Sequence, residues 1–228
     1  MSAGRVVLLI LGIIFLVGAV VLLIGGGVLT WATTAATDDG YIMSRTTRLD
    51  TDTYAITTEP VVMDLRSDEG WEWRFERGDF LTFKVQGANE DPGTGIFIGI
   101  ATWSEVEEYL DGVPYDEIVE WNDRPFGVDV EYRAHSGTLE PGDPAEQEFW
   151  DEYVAGTGTQ TLKWAPKTGD WVLVIMNEDG SAGVDFEGAV GARVPPLVWI
   201  GVVMIITGVA AMTGGIVMVY FAARRPTS

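Results

Sequence analysis

Cysteine is absent from this 228-residue sequence, and His135 is its single histidine. Without cysteine the chain forms no disulfide framework, no cysteine-ligated zinc or iron–sulfur site and no thiol nucleophile. One histidine also excludes a multi-histidine metal site within one chain, and we expect no cofactor. Basic residues are scarce, with 14 Lys+Arg against 34 Asp+Glu and a formal net charge of −20. Because basic groups that neutralise phosphates dominate nucleic-acid affinity, we expect no nucleic-acid partner.

Charge is also absent from two long apolar runs, one near each end of the chain. At about 1.5 Å per residue, each run exceeds the roughly 20 residues that a helix needs to cross a bilayer. A cleaved signal peptide is the alternative for the first run, although its length exceeds the roughly 7–15 apolar residues usual in such peptides. The sequence therefore predicts a short end at 1–5, a transmembrane helix at 6–30, a domain at 31–195, a second transmembrane helix at 196–222 and a short end at 223–228.

The flanks of the two runs predict their orientation in the bilayer. Both ends of the chain carry basic and no acidic residues, namely Arg5, Arg224 and Arg225. All 34 acidic residues and 11 of the 14 basic residues lie in 31–195, which gives that segment a formal charge of −23. The positive-inside rule places both termini in the cytoplasm and residues 31–195 outside the cell membrane, although Arg193 argues the other way. Trp31 and Trp199 are expected at the outer bilayer interface and Tyr220 at the inner one.

Glycines recur every seven residues in both predicted helices. They are Gly18 and Gly25 in the first helix and Gly201, Gly208 and Gly215 in the second. A seven-residue step is about two helical turns, so each set lies on one helix face, where helix backbones can approach closely in lipid. The pattern favours a packed hairpin, a homo-oligomer interface or contact with a membrane-protein partner. The alternative is that glycine is simply common in membrane helices.

Alternation of apolar and polar residues indicates β-strands in the segment between the helices. It occurs at 71–75, 81–85, 128–132, 162–164 and 184–186. Two continuous apolar runs, 96–101 and 171–176, are typical of central strands that are buried on both faces. Turns rich in glycine and proline separate these strands, so the sequence predicts a mainly β fold, an antiparallel sandwich of jelly-roll or Greek-key type. A capping box that starts at Ser104 predicts one short helix at 105–111.

Residues that would carry chemistry are few. His135 precedes Ser136, but a hydrolase triad needs the two side chains to face each other, and sequence neighbours rarely do so. A surface histidine in a loop is the simpler interpretation. Asn177 and Asp179 resemble half of a calcium loop and are weak metal candidates, although a β-turn at Asp179-Gly180 explains them better. We identify no catalytic residue.

Tryptophan is abundant, with nine in the chain. Seven lie within the predicted domain: Trp71, Trp73, Trp103, Trp121, Trp150, Trp164 and Trp171. These aromatic side chains either line a sugar or lipid cleft or form the core. Their alternating placement on strands favours the core.

The sequence resembles a family of uncharacterised two-span membrane proteins that is widespread in actinobacteria. The resemblance covers nearly the whole chain and is most specific in MNEDGSAG, at 176–183. Other matching stretches are DGY at 39–41, TDTYAIT at 51–57, FIGIA at 97–101, EYLDGV at 108–113, EFW at 148–150, GTGTQTLKW at 156–164, GDWVLVI at 169–175 and GARVP at 191–195. The family implies the same span–domain–span layout, and it implies no activity, catalytic residue or ligand.

These features predict a membrane-anchored, extracytoplasmic β-sandwich with a non-catalytic binding or scaffolding role at the cell envelope. An accessory or sensor subunit that contacts a membrane partner through its glycine-lined helices is one alternative, and an extracytoplasmic enzyme is the other. The acidic, lysine-poor composition of the domain is halophile-like, since hydrated carboxylates keep proteins soluble in a salty medium.

Overall fold

The computed structural model describes residues 3–34, 39–64, 81–124 and 127–224. The chain divides into two units, Met1–Ile42 with Val194–Ser228, and Met43–Arg193. The first unit contains two long helices, and the second is a domain built mainly of strands, here called the β-domain. The strand predicted at Trp71, Trp73 and Phe75 and the terminal Arg225 lie outside the described residues.

The helices of the first unit are α1 (Ala3–Thr34) and α3 (Pro196–Ala223). Both are long and apolar enough to cross a membrane, with mean hydropathies of 3.4 and 2.3. Many of their aliphatic side chains are exposed, for example Val17 at 61% and Ile206 at 63%. Since so much exposed apolar surface is unfavourable in water, the two helices indicate insertion into a membrane.

Five strands of the β-domain region form sheet I. They are β1 (Ile42–Met43), β2 (Thr47–Thr51), β5 (Thr82–Asn89), β10 (Gln160–Trp164) and β12 (Val184–Arg193). β12 pairs antiparallel with β2 and with β5, and β5 pairs antiparallel with β10. Sheet I therefore brings strands from the start, middle and end of the β-domain side by side.

Seven strands form sheet II. They are β3 (Ala55–Thr58), β4 (Val61–Met63), β6 (Ile96–Thr102), β7 (Tyr115–Arg124), β8 (Gly127–His135), β9 (Glu152–Gly156) and β11 (Gly169–Asn177). β11 pairs with β3, β4 and β6. The predicted mainly β, sandwich-like fold between two apolar helices is confirmed. β3 and β7 pair in parallel, which departs from the predicted antiparallel arrangement. Such a pair needs a long crossover connection, here residues 59–114.

Two hydrophobic clusters cover the two faces of sheet II. The cluster between the sheets joins Leu49, Leu162 and Phe186 of sheet I to Ile98 and Ile175 of sheet II. The cluster on the other face of sheet II contains, among others, Phe97, Val106, Leu110, Trp150 and Val174. The prediction that the runs 96–101 and 171–176 are central strands buried on both faces is therefore confirmed.

Helix α2 (Trp103–Tyr109) supplies Val106 to the second cluster. The sequence predicts a helix here but places its start two residues late, because Ser104 is not the capping residue. Thr102 takes that position, and the Glu105 carboxylate accepts hydrogen bonds from the Thr102 backbone N–H at 3.3 Å and from its hydroxyl at 2.6 Å. Both Thr102 and Ser104 suit an N-cap, so composition alone does not separate them.

Candidate functional site

An apolar cleft of about 310 Å³ lies between the two sheets of the β-domain. Phe83, Val85 and Trp164 line it from sheet I, and Met63, Ile100, Trp171 and Leu173 line it from sheet II. Its volume falls at the lower end of the roughly 300–1,000 Å³ usual for small-molecule sites. The cleft is the candidate functional site because it combines ligand-sized space with a lining contributed by several strands.

Aromatic rings form one wall of the cleft. The Phe83 and Trp164 rings stack with centroids 6.1 Å apart, and the Trp164 and Trp171 ring centroids lie 5.2 Å apart. The Trp164 indole N–H donates to the Asp151 carboxylate at 2.7 Å, and the Trp171 indole N–H donates to the Lys167 carbonyl at 2.8 Å. Because both indole donors are satisfied by groups that do not line the cleft, the rings contribute apolar surface to it.

A second cavity of about 160 Å³ adjoins the cleft. Thr58, Leu173 and Val190 line both spaces. Leu49 and Phe186 of sheet I and Ile175 of sheet II are among the other residues of the second cavity. The two cavities therefore lie next to each other between the sheets.

The sequence prediction for the tryptophans is partly met at this site. Trp164 and Trp171 belong to the core cluster between the sheets, as the alternation indicates, and they also line the cleft. Trp150 lies in the other cluster, on the opposite face of sheet II. Trp71 and Trp73 are outside the described residues. The residues that sequence reasoning missed are aliphatic, chiefly Met63, Leu173 and Val190, because nothing in an apolar strand pattern distinguishes a cleft wall from a filled core.

The weak metal candidates Asn177 and Asp179 lie in a tight turn at the end of β11. Asn177 is buried; its amide donates to the Ser181 carbonyl at 3.1 Å, and its side-chain oxygen accepts from the Asn89 amide at 2.9 Å. The Asp179 carboxylate accepts from the Ser181 hydroxyl at 2.6 Å and backbone N–H at 3.0 Å, which lowers the pKa of Asp179. Gly180, at φ +70°, allows the turn. The Asp179 carboxylate therefore serves the turn, and the Asn177 side-chain oxygen joins β11 to Asn89 of β5.

A buried carboxylate lies beside the single histidine. The Glu117 side chain is 6% exposed, and its Oε2 lies 2.8 Å from His135 Nε2 and 3.0 Å from Arg133 Nη1. The His135 ring stacks on Tyr115 with centroids 4.2 Å apart. His135 is the last residue of β8 and not a loop residue as predicted. The arrangement neutralises a buried charge and holds β7 against β8.

The described residues contain no cluster of side chains that could hold a metal ion. Within 3–34, 39–64, 81–124 and 127–224, no group of three or more His, Asp or Glu side chains is placed to hold a metal ion. At the apolar cleft, the Thr58 hydroxyl accepts a hydrogen bond from the Leu173 backbone N–H at 3.2 Å. The cleft is therefore suited to apolar contact more than to acid–base chemistry.

Small residues form the contact between α1 and α3. Gly201, Gly208 and Gly215 are buried, as is Ala222. A Cβ placed on Gly208 would lie 2.9 Å from Leu23 Cγ and 3.2 Å from the Ala19 carbonyl oxygen. A Cβ placed on Gly215 would lie 2.9 Å from the Gly12 carbonyl oxygen. The glycine face predicted on the second helix thus packs on the first helix of the same chain.

The contact face of α1 differs from the predicted one by one helical position. It passes through Gly12, Ala19 and Gly26, all of which are buried. A Cβ on Gly18 would have no atom within 4 Å, and a Cβ on Gly25 would meet only the flexible end of Met204 at 3.0 Å. The spacing of glycines alone predicts Gly18 and Gly25. The observed face includes Ala19, because alanine also permits close approach of helix backbones.

The predicted interfacial residues are exposed where they are described. Trp31 is 63% exposed, Trp199 71% and Tyr220 57%. The Arg224 guanidinium carbon lies 5.7 Å from the centre of the Tyr220 ring, a cation–π distance. Arg5 lies in the first turns of α1. The placement of these residues at the bilayer interfaces stays a prediction.

Comparison with known proteins adds no relative. No family model matches the chain, and neither a curated protein nor a solved structure is significantly similar to it. The resemblance to the actinobacterial two-span family therefore stays a prediction.

Titration of Tyr132 is expected to lower the stability of the β-domain at alkaline pH. Burial, followed by the charges of Asp50 and Asp116, raises its pKa to about 12. Because the folded-state pKa is above the unfolded value of about 10, the stabilisation is complete below pH ~10 and is lost as the pH rises to ~12. Across this range, the unfolding free energy of the wild type should fall more steeply with pH than that of Tyr132→Phe, which lacks the titrating hydroxyl. Tyr153→Phe controls for removal of a hydroxyl, and identical pH profiles for wild type and Tyr132→Phe would contradict the prediction.

Proposed function

We propose that the protein is anchored by two membrane spans, holds its β-domain outside the cell and binds an apolar molecule there without catalysis. The observation that carries the proposal is the cleft of about 310 Å³ between the sheets, with its aromatic and aliphatic lining. A filled core would leave no such space, since protein interiors are packed as densely as organic crystals. The apolar lining supports binding more than chemistry.

The outward placement of the β-domain is supported by charge. The chain ends carry Arg5, Arg224 and Arg225, whereas residues 31–195 carry a formal charge of −23. Short basic flanks favour the cytoplasmic side, and an acidic surface suits an ionic medium outside. The proposal thus keeps both termini in the cytoplasm.

Docking of a membrane partner through the glycine face is the less favoured function. Gly201, Gly208 and Gly215 already lie against α1 of the same chain. A partner that used this face would have to displace α1. A binding role for the β-domain requires no such rearrangement.

Toluene, a small apolar probe, tests the binding function. In full-length protein in phosphatidylcholine nanodiscs, saturating toluene should raise the melting temperature of the β-domain by roughly 5 °C, given about 2.7 kcal/mol of stabilisation at 100 times Kd. Val190→Phe, at a position that lines both cavities, should remove the shift. Val62→Phe is the matched control, because Val62 is 76% exposed and its strand neighbour Val61 lines the cleft instead. Equal shifts in all three proteins would show that toluene acts through the bilayer and would contradict the proposal.

A further inference from the structure

We propose that the molecule bound in the cleft is one acyl chain of a bilayer phospholipid. This inference rests on the proposed binding function and names its ligand class. Its first support is shape: two cavities of about 310 and 160 Å³ lie next to each other between the sheets and share Thr58, Leu173 and Val190 as lining residues. Two adjacent apolar cavities fit a flexible hydrocarbon chain better than a compact ring system.

The mouth of the cleft is apolar as well. Val61 and Val190 line the cleft and are 48% and 37% exposed, so they mark its opening. Val62, next to Val61 in β4, is 76% exposed. Beyond these residues, the lining is aromatic and aliphatic apart from Thr58, Gly191 and the buried Lys84, so an acyl chain that enters here meets mainly apolar side chains.

Chain connectivity supplies the second support. The cleft residue Gly191 precedes Pro196, the first residue of α3, by five positions, and Val194 and Pro195 alone separate β12 from α3. A domain tethered so closely to an apolar membrane-spanning segment meets lipid acyl chains at a high effective concentration. Transfer of a chain from the bilayer to the cleft exchanges one apolar environment for another, whereas apolar ligands dissolved in water are scarce.

The negative charge of the domain limits which lipids are expected to supply the acyl chain. Residues 31–195 carry a formal charge of −23. This field repels a free fatty acid, which is a carboxylate, and it repels anionic headgroups. The cleft is therefore expected to take the chain of a zwitterionic lipid such as phosphatidylcholine.

Bromine quenching of tryptophan emission tests the inference. The full-length protein, with Trp31→Phe and Trp199→Phe to remove the predicted interfacial tryptophans, is placed in phosphatidylcholine nanodiscs whose acyl chains carry bromine. Trp164 and Trp171, both lining the cleft, should lose emission relative to unbrominated discs. Val190→Phe and, independently, Val61→Phe should abolish this loss, and Val62→Phe should retain it. Circular dichroism establishes which variants are folded. Two blocking variants are used so that the test can still be read if one of them misfolds.

Four outcomes would overturn the inference or a part of it. If the quenching is the same in both blocking variants while toluene still stabilises the wild type, the acyl-chain assignment fails and the binding function stands. If toluene also fails to bind, the binding function itself fails. If Trp71→Ser with Trp73→Ser creates toluene binding that the wild type lacks, the chain's own segment 65–80 is the occupant. Quenching by brominated phosphatidylglycerol that equals that by phosphatidylcholine at low salt would overturn the headgroup preference.

Discussion

Replacing Phe97 with alanine is expected to lower the free energy of unfolding of the β-domain by about 4 kcal/mol. Phe97 is fully buried on the face of sheet II that α2 covers. Its ring lies 5.0 Å from the Trp150 ring and 5.5 Å from the Tyr153 ring, centre to centre. The substitution removes these ring contacts and leaves a cavity that a sheet held by β-pairing on both sides cannot close.

Gly99 lies close to the Phe97 ring, so the packing around Phe97 has little room to rearrange. A Cβ on Gly99 would lie 2.7 Å from the Phe97 ring and 2.8 Å from the Trp150 ring, so the glycine is required to make room for both rings. The same site is therefore sensitive to added as well as to lost volume, and Gly99→Ala should also destabilise, by about 1–3 kcal/mol.

Denaturant unfolding of the full-length protein in nanodiscs, followed by tryptophan emission, measures the Phe97→Ala effect. Val62→Ala is the control, because Val62 is 76% exposed and its truncation should change stability by less than about 0.5 kcal/mol. If Phe97→Ala were no more destabilising than Val62→Ala, the second hydrophobic cluster would not be part of the folded domain.

Replacing Gly208 with leucine is expected to weaken the pairing of α1 with α3 by about 3 kcal/mol, the upper end for overpacking. A Cβ alone would lie 2.9 Å from Leu23 Cγ and 3.2 Å from the Ala19 carbonyl oxygen, and the rest of the leucine side chain would need further space. The Ala19 contact is to backbone, which cannot move aside without separation of the helices. Apolar lipid offers no compensating hydrophobic force, so close packing supplies much of the helix–helix attraction.

Gly18→Leu is the matched control, since a Cβ on Gly18 has no atom within 4 Å. Because the chain lacks cysteine, cysteines introduced at the exposed Val7 and Val217 would be the sole sites for a donor and acceptor dye. Energy transfer between the dyes, followed through a titration with sodium dodecyl sulfate, should be lost earlier for Gly208→Leu than for the parent. Equal midpoints for Gly208→Leu and Gly18→Leu would show that the glycine face does not hold the pair together.

Much of the fold is predictable from local patterns. The alternation at 162–164 and 184–186 falls in β10 and β12, and the runs at 96–101 and 171–176 fall in β6 and β11. These predictions succeed because a strand has a side-chain period of two and a strand buried on both faces must be apolar throughout. The parallel pairing of β3 with β7 was not predictable, because it joins segments far apart in sequence through contacts that no local pattern encodes.

The candidate site was only half predictable. The alternation places Trp164 and Trp171 in the core, but their part in an open cleft depends on how far apart the two sheets lie. Glu117 gave no signal either, because one acid among 34 is unremarkable until the pairing of β7 with β8 sets it between Arg133 and His135. In each case the deciding contact is non-local.

The sequence by itself determined which two parts of the chain favour an apolar environment. Two uncharged apolar runs require an apolar surrounding, and the absence of cysteine and the single histidine limit the chemistry in between. The tertiary structure alone decided which seven-residue series of α1 packs against α3. Gly18 and Ala19 are adjacent in sequence and point about 100° apart around the helix, so the position of α3 determines which of them lies in the contact. The tertiary structure also decided that a cleft lies between the two sheets. Composition determines which side chains can line the space between the sheets, but packing determines whether that space is filled.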